Sequence, residues 1–352
     1  MWHETMTSAE RMGALMRGER PDRVPVSPLI FGHTASVCGQ PIARIYDDPA
    51  TSFRCQLLAQ EMYGYDGLPV MAYASVGAWE FGGDIEMPVK KYAGAPVVTR
   101  TPVQNEDDVY TLEVPEDVSK AGFLPLLLEF GRILVEHHMP VTIFPAAGSF
   151  GLAGSIMGEE RMLRWMIKKP ELVQIVIDKA LTFTLRVIDH FVREFGVENL
   201  RAFEGEATGS NRLISPGQFA TFALPSIKVV AQRIVDLGIP AMFHICGDHN
   251  KNLPYWREVP MGPHTVLSFG REVALEKAME MFPDQVIAGN VDPTLIQEGT
   301  AEEVLAQARE CIEVAKHHKG GYILMSGCDI PPQAPPVNVF QLIKAAREYG
   351  RY

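Results

Sequence analysis

His244-Ile245-Cys246 lies at the end of one apolar run, and Cys328 follows another in Ser326-Gly327-Cys328-Asp329. An imidazole and two thiolates are three of the four donors of a tetrahedral zinc ion. Structural zinc sites are closed by four protein ligands, whereas catalytic ones keep a position for water or substrate. The set therefore predicts a catalytic metal centre, provided that the fold brings the residues together. Eighty-two residues separate Cys246 from Cys328, too many for a local finger motif, so only tertiary structure can close it. Taken singly, each residue has a plainer use. A cysteine in a strand is usually a small buried hydrophobe, and a lone histidine is usually a hydrogen-bonded core residue.

Residues two apart on a strand project to one face, so His244 and Cys246 point together. Strand-like runs bounded by turn residues begin near Val24–Phe31, Gly67–Ala72, Val141–Ala147, Leu200–Glu206, Ala241–Cys246, Val266–Phe269, Val286–Asn290 and Tyr322–Ser326. Helical patterns separate most of them, over Pro49–Tyr63, Leu124–His137, Pro170–Phe195, Pro216–Leu237, Val273–Phe282 and Ala301–His317. Ser215-Pro216 and Thr300-Ala301-Glu302-Glu303 read as helix entries. Eight strands alternating with helices predict an α/β fold, a single (β/α)8 TIM barrel rather than an open sheet. The His244–Cys246 pair and Cys328 then both fall at the C-terminal mouth, where barrel enzymes keep their active sites.

One domain over 1–352 is expected, with an N-terminal helical extension over 1–23. Residues 73–120, rich in glycine and proline around short pieces such as Ala95–Thr101, predict a hairpin-bearing insertion after the second strand.

Polar residues near the same strand ends are candidates for a fourth ligand, a proton or a cofactor contact. Glu204 and Glu206 follow the fourth strand, Asp248 and His249 the fifth, Asn290 and Asp292 the seventh, and Asp329 follows Cys328. Glu206 is the preferred fourth ligand or gate, with His249 second. Glu206 and Asp292 are the catalytic candidates; Asn290 and Asp248 are those for cofactor binding. Ala147-Gly148-Ser149-Phe150-Gly151 misses the nucleophile elbow by its first glycine, and no phosphate-binding glycine motif is present.

Composition narrows the partners. A net charge of −11 without a basic run argues against nucleic acid, which needs a concentrated cationic face. Five irregularly spaced cysteines suit a reducing cytoplasm better than a disulfide framework. The N-terminus lacks the apolar core of a signal peptide, and no apolar stretch approaches the roughly 20 residues that span a bilayer. A soluble, cytoplasmic protein with no membrane partner is expected.

The chain resembles the uroporphyrinogen decarboxylase superfamily, and within it the corrinoid-dependent methyltransferase branch. Matching stretches run nearly end to end: Gly18-Glu19-Arg20-Pro21-Asp22-Arg23-Val24-Pro25-Val26, Tyr63-Gly64-Tyr65-Asp66, Leu213-Ile214-Ser215-Pro216, Phe243-His244-Ile245-Cys246-Gly247, Gly289-Asn290-Val291-Asp292-Pro293 and Gly321 to Cys328. The resemblance implies a (β/α)8 barrel and assigns His244, Cys246 and Cys328 as zinc ligands. It implies transfer of a methyl group between a corrinoid (methylcobalamin, carried by a separate corrinoid protein) and a small thiol acceptor or other methyl donor. It also places Ile30 where the decarboxylases carry an arginine for substrate carboxylates, and a position near Tyr73 where they carry an aspartate. Gly327-Cys328-Asp329 replaces their late Gly-His-Gly. Two alternatives stand beside this reading: a metal-free tetrapyrrole decarboxylase, and a non-catalytic barrel that binds a corrinoid or its carrier.

Overall fold

The computed structural model describes residues 4–89, 94–146 and 148–352. Its centre is a parallel sheet of six strands in strictly sequential order: β3 (Val141–Ile143), β4 (Leu200–Glu206), β5 (Ala241–Ile245), β6 (Val266–Phe269), β7 (Val286–Val291) and β8 (Tyr322–Ser326). Helices connect them on the outside, as expected of a (β/α) barrel. Two short strands, β1 (Asp84–Glu86) and β2 (Val97–Arg100), pair antiparallel within the predicted insertion. Residues 90–93 of that insertion, 1–3 of the N-terminal extension and Ala147 of the third predicted strand lie outside the described residues.

The first two of the eight predicted strands depart from regular ladders. Val26 bridges Leu324 in parallel, with Ser27 N–H on the Leu324 carbonyl at 3.0 Å and Leu324 N–H on that of Pro25 at 2.9 Å. This segment therefore flanks β8 as the seventh position of the wall. Residues 67–72 form no ladder. Pro69 has no N–H to give, and the Gln56 side chain takes both backbone groups of Val70, at 2.8 and 3.0 Å. The segment stays in place because Asp66 N–H bonds the Val26 carbonyl at 2.6 Å.

Helix entries follow the sequence signals. Asp48 caps Pro49–Tyr63, Ser215 forms a capping box with Gln218, and Thr300 forms one with Glu303. The helix expected over Pro216–Leu237 contains a π-helical turn at Phe219–Ala223. Pro225 cannot donate to the Thr221 carbonyl, and widening the turn relieves the clash of its ring with the preceding turn.

A helix at Ser8–Met16 seals the barrel floor. Leu15 packs with Val266, Val286, Ala288, Ile323 and Met325 in a compact apolar cluster. This cluster identifies the faces of β6, β7 and β8 that look into the lumen. The helix is fastened by a buried ion cluster, in which Asp66 receives Arg11 at 2.6 Å and Arg23 at 2.7 Å.

Candidate metal centre

Strand register decides which side chains share the lumen. Met242 pairs with Val266, and Gly205 with His244. Paired residues of neighbouring strands project to one side, so Phe203, Gly205, Met242 and His244 face inwards. Cys246 lies just beyond β5, and Gly247 follows with φ +82°, which turns the chain out of the strand. A Cβ there would stand 3.0 Å from Ser210 Oγ, a second reason for glycine.

The ligand atoms of His244, Cys246 and Cys328 lie within 4.8 Å of one another. The two sulfurs are 3.7 Å apart, and both thiols are free. His244 Nδ1 meets Ser268 Oγ at 3.1 Å, while its Nε2 is buried without a hydrogen-bond partner. A buried ring nitrogen is rarely left so. With Nδ1–H donated to the serine, Nε2 offers a lone pair towards the sulfurs, the arrangement that orients a metal-bound histidine. The donor set therefore fits a thiophilic ion such as zinc.

The hydrogen bond between the two thiols pushes them in opposite directions. The Cys246 thiol is pushed up by its hydrogen bond with Cys328 and then by burial. Cys328 is held low by that same bond and by His244, against burial. Cys328 is thus the better anion before any ion arrives. Next to it, Asp329 is pushed up to about 8 by burial, although it accepts the Phe31 N–H at 3.0 Å.

The other residues singled out in the sequence are not gathered at this centre. Glu206 sits at the end of β4, but with Glu204 it projects to the opposite face, among the helices. Both carboxyls are buried; Glu206 accepts the Gly209 N–H at 2.7 Å and Glu204 that of Gly148. Burial pushes Glu206 up to about 7 and Glu204 well above the usual range. His249 is buried and accepts the Trp256 indole N–H at 3.2 Å. Asp248 holds the Asn250 backbone and amide at 3.0 Å each. Asn290 donates to the carbonyls of Gly270 and Val273 at 3.2 and 2.8 Å. Asp292 caps the helix Pro293–Glu298 through Thr294 N–H at 2.9 Å and pairs with Arg271.

Two residues of the centre escaped sequence reasoning. Ser268 is one serine in an apolar run, with nothing in its type to mark it. Glu272, on the loop after β6, has an oxygen 2.7 Å from where a Cβ of Gly270 would stand, and that position is 3.1 Å from Gly247 N. Its charge acts more strongly on the Cys246 thiol than that of Glu206 does. Its position three residues beyond a strand end was the available signal.

Comparison with known proteins agrees with this architecture. The model of the family described as uroporphyrinogen decarboxylase (URO-D) matches residues 7–349. The chain is 26% identical over 349 residues to a methylated-thiol–coenzyme M methyltransferase of Methanosarcina mazei, covering 97% of this chain and 90% of that protein. It is 24% identical over 355 residues to the methylcobamide:CoM methyltransferase MtbA of Methanosarcina acetivorans, covering 97% and 98%. A uroporphyrinogen decarboxylase of Chlorobium luteolum is 22% identical over 314 residues, covering 85% and 84%. Among solved structures, a methyltransferase from Methanosarcina mazei superposes with a TM-score of 0.81 at 23% identity, covering 98% of this chain and 99% of that one. Among the described residues no helix is long and apolar enough to cross a membrane.

Proposed function

The chain belongs to the uroporphyrinogen decarboxylase family, and from that premise we propose that it is a zinc-dependent methyltransferase acting between a corrinoid and a small thiol. The observation that carries this reading is the convergence of His244, Cys246 and Cys328 with an unpartnered, buried Nε2. A decarboxylase handling a polycarboxylate has no use for two thiols and an imidazole. It needs cationic anchors, and Ile30 is a buried aliphatic side chain. Tyr73, near the family's aspartate position, donates to Glu80 at 2.9 Å within the core.

His244, Cys246 and Cys328 would hold the ion. Bound zinc favours the deprotonated form of a thiol that enters its open position. The protein's own groups prepare that event. Ser268 fixes the imidazole, Cys328 would supply negative charge, and Glu272, near the turn at Gly247, would take up the thiol proton. With a methylated corrinoid as donor, the acceptor sulfur would form a carbon–sulfur bond as the donor's bond to the methyl group breaks, and the donor would keep that bond's electron pair. The mouth of the barrel, where the three ligands lie, is the face on which a corrinoid protein would dock.

The test mixes zinc-loaded protein with methylcobalamin and a panel of thiols, following loss of the methylcobalamin spectrum. Consumption of methylcobalamin with formation of a thioether is expected. Absence of transfer to every thiol by fully zinc-loaded protein overturns the reading.

A further inference from the structure

His249 is buried at the far side of the turn that begins at Cys246. Its Nδ1 meets two donors, the Trp256 indole N–H at 3.2 Å and the Asn252 amide nitrogen at 3.3 Å. An indole nitrogen can only donate. The Asn252 amide is fixed in orientation too, since its nitrogen also serves the Gly209 carbonyl at 2.9 Å and its oxygen accepts from Asn211 at 2.8 Å. Nδ1 therefore carries a lone pair, and the single ring proton sits on Nε2.

That Nε2 is buried without a fully formed hydrogen bond. It faces the main chain of Glu206 and Cys246, whose carbonyl dipoles favour a proton on it. A buried N–H without an acceptor is costly, and these carbonyls are the groups that can take it. The ring is held in this direction. Phe219 meets it edge-on with centroids 5.8 Å apart, Trp256 meets it at 6.0 Å, and both are buried. Gly209 makes the room, because a Cβ there would stand 3.0 Å from the Phe219 ring. Other groups secure the rest of the turn. Asp248 N–H bonds Ser210 Oγ at 3.1 Å, and the Asp248 carbonyl accepts the Asn211 N–H at 2.6 Å. Cys246 N–H reaches the Glu206 carbonyl at 3.2 Å, so His249 addresses both partners of that bond.

We propose that His249 is a positioning residue of the metal centre: its Nε2–H ties the main chain of Cys246 to the end of β4 and sets where the Cys246 sulfur stands, without touching the ion. The consequence for metal binding rests on the zinc reading of His244, Cys246 and Cys328; the tie itself does not.

One measurement is made without metal and two with it. Metal-free protein carrying isotope-labelled histidine is examined by NMR. His249 is expected with Nε2 protonated, Nδ1 bare and an N–H that exchanges slowly with solvent. A proton on Nδ1, or a ring that averages both forms, overturns the proposal. Zinc affinity is then measured by competition with a chromophoric chelator. His249→Phe keeps an aromatic ring and removes the donor, and should bind zinc roughly 10- to 100-fold more weakly. His249→Gln keeps an N–H near the Nε2 position and should stay close to wild type. Cobalt(II) in place of zinc should show shifted sulfur-to-metal charge-transfer bands in His249→Phe but not in His249→Gln. A packing role alone predicts the reverse order, since Phe fills the space and Gln does not. Equal affinity of wild type and His249→Phe, or a larger loss in His249→Gln, therefore overturns the proposal. Should His249→Phe fail to fold, retention of zinc by His249→Gln supports it and loss overturns it. The expected tautomer in a wild-type protein that binds no zinc keeps the tie to Cys246 and removes the metal reading.

Discussion

Ser268 Oγ stands 3.1 Å from His244 Nδ1, on the strand next to the one that carries the imidazole. This bond sets which ring nitrogen is free for an ion. Ser268→Ala should lower zinc affinity by roughly 10- to 100-fold, the usual cost of losing a group that orients a ligand. A competition titration against a chromophoric chelator measures it, with the far-UV circular dichroism unchanged.

Cys246→Ser and Cys328→Ser each remove one of three donors. Zinc per protein chain after dialysis should drop roughly 100-fold or more at fixed free zinc. Methyl transfer should fall with it. Full metal content in either variant, by elemental analysis, contradicts the ligand assignment.

Glu206 makes stability depend on pH in a stated direction. Its carboxyl is buried, with a pKa raised from 4.5 to about 7, so the folded state holds a proton that the unfolded chain has released. Stability from this group is present below the unfolded value and is lost as pH rises through about 7. Glu206→Gln, which keeps an acceptor for the Gly209 N–H, should flatten the melting temperature over that window. Above pH 7 it should be the more stable protein, by roughly 3 kcal/mol at most. Thermal melts from pH 4.5 to 8 check the sign.

Asp66 receives two guanidinium groups and the Val26 N–H in the core. Asp66→Asn should cost roughly 2–4 kcal/mol in urea denaturation, because Arg11 and Arg23 lose their most deeply buried counter-charge and keep only Asp22 and Glu4, which lie nearer the surface. Asp22→Asn, nearer the surface, should cost less.

Much of this was legible in the sequence, for identifiable reasons. Apolar runs bounded by turn residues marked the six strands of the sheet, and His-x-Cys with a distant cysteine marked three residues whose ligand atoms the fold does bring within 4.8 Å of one another. The segment 67–72 read as a strand because its side chains are apolar. Its hydrogen bonding was decided by Pro69 and by Gln56 from a helix, which no local pattern reveals. Glu206, preferred as fourth ligand or gate because it ends a strand, pairs with Ile245 and projects to the face opposite His244. Its side follows from whether Glu206 or Gly205 pairs with His244, a parity that only register fixes. Asp248, Asn290 and Asp292 were found near the mouth, but turns and caps use their polar atoms.

Cys246 and Cys328 belong to strands three places apart in the sheet. Three steps across a flat sheet span roughly 14 Å, yet the sulfurs are 3.7 Å apart. Bending of the wall and inward-leaning side chains supply the difference, so the thiol pair acts as a gauge of curvature. A partly folded chain with β5 to β8 aligned but unrolled holds its ligands too far apart to share one ion. Zinc uptake during refolding should therefore lag behind the recovery of strand signal and coincide with closure of the wall.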